Sequence, residues 1–135
     1  MMKPLLSICL GLLLQMTIAF SAQAVPDSDE LAQIAGSTAS LDQKYAAGSL
    51  STAEQADSAL KESSAVQQRL QRWYEQADRA CHQIFFVNDC LNDVKQQRRQ
   101  YIVSLQRISL EAKALQRKLR IDELDRDLAK KQAKP

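Results

Sequence analysis

The chain has 135 residues, 45% of them hydrophobic but only 5% aromatic, with 18 Lys and Arg against 16 Asp and Glu. That length holds one small domain with a mostly aliphatic core and excludes a second enzyme-sized domain. The nearly balanced charge hides an asymmetry: residues 25–60 carry one Lys against six acids, while residues 61–135 carry sixteen Lys and Arg against ten acids.

The first element is a targeting segment. Met1-Met2-Lys3-Pro4 is a short basic start, Leu5 to Phe20 is mostly apolar, and Ala22-Gln23-Ala24 has the small residues of a cleavage site. Residues 1–24 therefore read as a secretory signal peptide cleaved after Ala24. Gln15 and Thr17 interrupt an apolar run already shorter than the roughly 20 residues of a membrane anchor. Cys9 lies inside that run, not at the new amino terminus as lipidation would require. The expected location is the periplasm or the exterior, where the two remaining cysteines, Cys81 and Cys90, can form a disulfide.

Residues 25–50 read as a short N-terminal segment of small helices or partly disordered linker. Asp27-Ser28-Asp29-Glu30 offers capping and first-turn acids for Leu31 to Ala35, Gly36 stops that turn, and Ser40 to Ala47 supports another before Gly48. From Ser49 to Lys134 there is no glycine or proline, and the composition is rich in Ala, Leu, Gln, Lys, Arg and Glu. This is long-helix composition. Ser51 with Glu54 three residues on forms a capping box at its start.

From there Ala59, Val66, Trp73 and Ala80 recur every seven residues, flanked by Ala56, Leu70 and Ala77 and by Leu60, Tyr74 and Cys81. Such a wide stripe belongs to an amphipathic helix packed on another. A second stripe steps through Leu91, Val94, Tyr101, Leu105, Ile108, Ala112, Leu115 and Leu119, interrupted by Arg98. Its phase then slips to Ile121, Leu124 and Leu128, a seam that runs back through Ala114 and Leu110. Packing whose partner changes along the helix follows, not an uninterrupted two-stranded coiled coil.

Between the stripes lies "CHQIFFVNDC", residues 81–90. In one continuous helix, nine positions give about 13 Å of rise, whereas a disulfide needs alpha carbons within about 7 Å. An intrachain bridge therefore requires a break. Ile84, Phe85, Phe86 and Val87 are poor helix formers in a row, and Asn88 or Asp89 can cap a new helix. The expected fold is all-α: an antiparallel, coiled-coil-like hairpin over 51–135, with arms at about 51–81 and 89–132 clamped by Cys81 and Cys90.

Other chemistry fits these ten residues less well. A metal site would use Cys81, His82, Cys90 and Asp89, but the spacing matches no usual zinc pattern. Redox catalysis favours two cysteines separated by two residues, the first at a helix start, whereas Cys81 falls at a helix end. No second histidine exists and no serine or cysteine is placed to use His82 as a base. No catalytic residue, metal or cofactor is expected, and the chain reads as nonenzymatic. Phe85 and Phe86 read as a plug beneath the bend; the alternative is that one faces outward as a partner contact.

The second helix is strongly basic. Lys95, Arg98, Arg99, Arg107, Lys113, Arg117, Lys118 and Arg120 are interleaved with only Asp93 and Glu111. They form either a solvated helix face or a contact for an anionic envelope surface. Export makes nucleic acid an unsuitable partner.

"CHQIFFVNDCL" followed by "VKQQRRQYIVSLQRISL" resembles a group of small exported proteobacterial proteins of unknown function, in which a paired-cysteine turn precedes an Arg-rich helix. The resemblance covers residues 70–120 and implies an exported helical protein, without implying an activity. The architecture is also loosely similar to that of periplasmic helical chaperones. The expected function is that of a structural or interaction module of the cell envelope with chaperone-like character, acting on an unknown protein or anionic component and capable of homo-oligomerisation. The alternative is a small periplasmic metal- or lipid-binding protein.

Overall fold

A computed structural model describes residues 28–133; the expected signal peptide lies outside them. The described residues form three helices and no strands: α1 (Ser28–Lys44), α2 (Ala53–Cys81) and α3 (Val87–Gln132). The fold is all-α. No helix among the described residues is long and apolar enough to cross a membrane.

The buried stripe of α2 is Ala56, Ala59, Ser63, Val66, Leu70, Trp73, Ala77 and Cys81, steps of three and four that keep one side inward. It meets Val94, Leu105, Ile108 and Ala112 of α3. Side-chain contacts fix the direction. Asp57 pairs with Gln116, Ser63 with Ser109, Gln67 with Leu105, Gln71 with Arg98 and Cys81 with Cys90. One number rises as the other falls, so α2 and α3 run antiparallel.

Small residues let the two backbones approach, and a polar cluster marks their register. The fully buried Ser63 hydroxyl lies 2.6 Å from the Ala59 carbonyl oxygen and 3.0 Å from Ser109 Oγ. Gln67 donates to the Leu105 carbonyl at 3.2 Å and to Ser109 Oγ at 3.0 Å. Sliding one helix past the other would leave the serine hydroxyls on their own helices' carbonyls but would strip the Gln67 amide of both its acceptors across the seam, so the cluster favours one register.

Two local expectations change. The cap of α2 is Thr52 with Gln55, one residue beyond the expected Ser51 and Glu54 pair. The Gln55 amide oxygen accepts from Ser51 N at 2.9 Å, Ser51 Oγ at 3.1 Å and Thr52 N at 3.2 Å. The shifted box therefore engages both hydroxyl residues. The second change is in the N-terminal segment, where one helix runs through Gly36 in place of two short pieces. Gly36 sits on the exposed side with a negative φ, while Ile34, Thr38, Leu41 and Tyr45 face the core. A mid-helix glycine costs about 0.5–1 kcal/mol; burying a side chain such as Ile34 or Leu41 contributes about 1.5–3 kcal/mol. Burial wins. The chain turns at Gly48, where φ is +72°.

Charged pairs tie α1 to the other two helices. Arg69 donates to both carboxylate oxygens of Glu30, at 3.0 and 2.9 Å, and Lys44 donates to Glu62 at 2.8 Å. Arg107 joins Asp42 at 2.9 Å, the Tyr45 carbonyl at 2.8 Å and Glu111 at 3.0 Å. Hydrogen bonds from Arg69 hold the Glu30 carboxyl below its ordinary pKa, and those from Lys44, then Tyr45, do the same for Glu62. A lowered carboxyl pKa gives stability that is present above the unfolded value, about 4.3, and is lost as pH falls through the lowered one.

Two outcomes follow. Acidification from pH 5 to pH 3 should loosen α1 and red-shift emission of Trp73, the single tryptophan, which lies beside Leu31 and Ala32. A Glu30→Gln, Glu62→Gln variant should already be loosened at neutral pH and show a flatter acid profile; an unchanged profile would refute this coupling. Separately, reducing the Cys81–Cys90 bond removes a short-loop constraint worth about 2.5–3 kcal/mol on the chain-entropy model. Thermal unfolding should then shift down by roughly 10–20 °C, and alkylation should require prior reduction.

Candidate functional site

The site is the corner joining α2 to α3. Helix α2 ends at Cys81, with His82 as its C-cap, and two turn bonds follow: Gln83 N to the Ala80 carbonyl at 3.0 Å and Ile84 N to the Cys81 carbonyl at 3.4 Å. Helix α3 starts at Val87 behind Phe86, earlier than the expected Asn88 or Asp89, and without a side-chain cap. The early start places Cys90 one turn before Val94 on the inward side. The Cys81 and Cys90 alpha carbons are 5.5 Å apart and the sulfurs are bonded, while Asp89 places a negative charge in the first turn of α3, where it suits the helix dipole.

This closure pushes the intervening side chains outward. Phe85 is 91% exposed and Phe86 68%, with Ile84 also exposed. The phenyl rings meet edge to face at 5.2 Å between centroids, a favoured aromatic geometry. The expected plug is therefore not formed, because Cys81 fills the end of the core and the five-residue turn projects both rings beyond it. His82 lies 3.6 Å from Asp78, with more than half of its side chain exposed.

Beside Phe86 opens a groove of about 580 Å³, lined by Leu31, Trp73, Val94 and Tyr101 and by the polar Ser28, Asp89, Asp93 and Gln97. Trp73 is 2% exposed, and its indole N–H is buried without an acceptor. A buried donor left unpaired is costly. The corner thus combines exposed aromatic rings with a largely apolar groove. The covalent clamp occupies both Cys81 and Cys90. Among the described residues, no three His, Cys, Asp or Glu side chains are grouped to hold a metal ion.

The basic residues do not form one surface. Arg107 is engaged with Asp42 and Glu111, which raise its pKa. Arg98 lies over the Tyr74 ring at 5.1 Å and donates to Gln71 at 3.3 Å. Lys95, Arg99, Lys113, Arg117, Lys118 and Arg120 are exposed. By helical phase Lys95, Arg99, Lys113, Arg117 and Arg120 share one side of α3, with Lys118 off it.

Sequence reasoning had no direct signal for the groove, because Leu31 and Trp73 come together only through the packing of α1. The steps Leu31, Ile34, Thr38, Leu41 and Tyr45 would have revealed that packing helix. No protein family matches the chain, and neither a curated protein nor a solved structure matches it.

Proposed function

We propose that this is an exported, nonenzymatic interaction module of the cell envelope that holds apolar polypeptide segments at its disulfide corner, in a chaperone-like role. The observation that carries the reading is the exposure of Phe85 and Phe86 on a covalently pinned turn beside an apolar groove. Exposed adjacent aromatic rings are unfavourable in water and suit an apolar partner. Pinning limits the entropy lost when one docks. Export rests on the basic, apolar and small-residue pattern of residues 1–24, and the disulfide fits an oxidising compartment. The resemblance to exported paired-cysteine proteins supports the same location.

A second reading, a lipid carrier, is favoured by the same groove, since Leu31, Val94 and Tyr101 also suit an acyl chain.

The test is suppression of aggregation by the purified, oxidised protein, using an unfolded outer-membrane polypeptide as client. Wild type should suppress it. A Phe85→Ala, Phe86→Ala variant should keep its thermal stability, since neither ring is in the core, and bind the client roughly 10- to 100-fold more weakly. Equal suppression by the two proteins, or none by either, would sink the proposal. Binding to anionic liposomes that falls with salt and ignores the two phenyls would point instead to the basic side of α3.

A further inference from the structure

A second apolar line on α3 is uncovered. Val103, Leu110, Ile121, Leu124 and Leu128 are each more than half exposed. Leu110 follows the fully buried Leu105 by five residues, about 140° around the helix, so the line lies nearly opposite the core-facing stripe. From Leu110 it steps by four and three through Ala114, Arg117, Ile121 and Leu124 to Leu128. This is a heptad seam. Its final part lies beyond Leu119, level with the start of α2 at Ala53. Residues 120–132 therefore overhang the bundle by roughly 20 Å.

We propose that this overhang pairs with the same segment of a second copy, antiparallel, about a two-fold axis between Asp122 and Glu123. Charge selects both occupant and direction. In that register Ile121 sits level with the partner's Leu124, and Leu128 lies over the aliphatic stem of the partner's Arg117. The flanking positions place Lys118 opposite the partner's Asp125 and Arg120 opposite the partner's Asp127, each twice by symmetry. A parallel pairing in register instead opposes Lys113 with the partner's Lys118 and stacks Arg117 on the partner's Arg117 in the seam; of its flanking contacts, Arg120 with the partner's Asp125 is attractive. Asp127 is held within its own chain by an exposed Lys130 at 3.7 Å, a tie weak enough to exchange.

The area sets the strength. About half of each of three aliphatic side chains is available, well short of the roughly 800 Å² per partner of a stable interface. A concentration-dependent dimer follows, not an obligate one. Its two disulfide corners point away from each other, roughly 100 Å apart.

Sedimentation equilibrium of the oxidised protein tests this. The weight-average mass should climb from monomer towards dimer with concentration. Lys118→Glu alone and Asp125→Lys alone should each weaken association about tenfold; the double variant should restore it. These positions are exposed and outside the core, and circular dichroism checks that helix content is unchanged. A monomer at every concentration would overturn the proposal. So would a dimer that survives Leu124→Asp, a double variant no better than either single one, or a Lys118→Glu protein that associates more tightly, the result a parallel pairing requires.

Discussion

Nine residues of helix separate two alpha carbons by about 13 Å, while those of Cys81 and Cys90 stand 5.5 Å apart. The rest of the molecule depends on how the chain resolves that mismatch. It must turn within Gln83 to Phe86, return antiparallel, and place Cys90 on the same inward line as Val94. With the ends of α2 and α3 fixed, their registers follow, and Ser63, Gln67 and Ser109 find one another some 40 residues apart in sequence. The clamp thus closes the corner and leaves the side chains between the cysteines outside the core.

Displacement is what makes the corner chemically distinctive. A turn this short has no interior, so the apolar side chains in it cannot be sheltered by their own neighbours. Cys81 is fully buried and fills the end of the core, leaving Phe85 and Phe86 in solvent. A chain selected only for stability would gain solubility from polar residues there. The proposed partner contact rests on that exposure of two phenyls at one corner. Helix α1 extends the same surface by bringing Leu31 beside Trp73 and forming the groove floor.

Much of the framework was legible because it depends on local periodicity and distance. The stripe from Ala59 to Cys81, the long uninterrupted helices and the break between the cysteines all follow from spacing within one segment. What was not legible depends on contacts between segments. Gly36 reads as a helix stop until Ile34 and Leu41 have a core to enter. Arg107 reads as a free cation until Asp42, 65 residues away, is seen beside it. The direction of Phe85 and Phe86 depends on how much space Cys81 leaves, which no periodicity encodes. The overlapping Ser51 and Thr52 caps differ by one position, and the outcome rests on the bond from Gln55 N to Thr52 Oγ1 at 3.2 Å, since the Gln55 side chain reaches both residues.

The proposed contact runs through the two phenyls, Phe85 and Phe86. Site-specific photo-crosslinking tests it most directly, with a photoreactive phenylalanine analogue at position 85, a control at Val103 on the uncovered side of α3, and a labelled extended apolar peptide as client. Ultraviolet-dependent adducts are expected from position 85 of the oxidised protein, with little from position 103. Equal labelling at the two positions, or labelling at 103 alone, would contradict it.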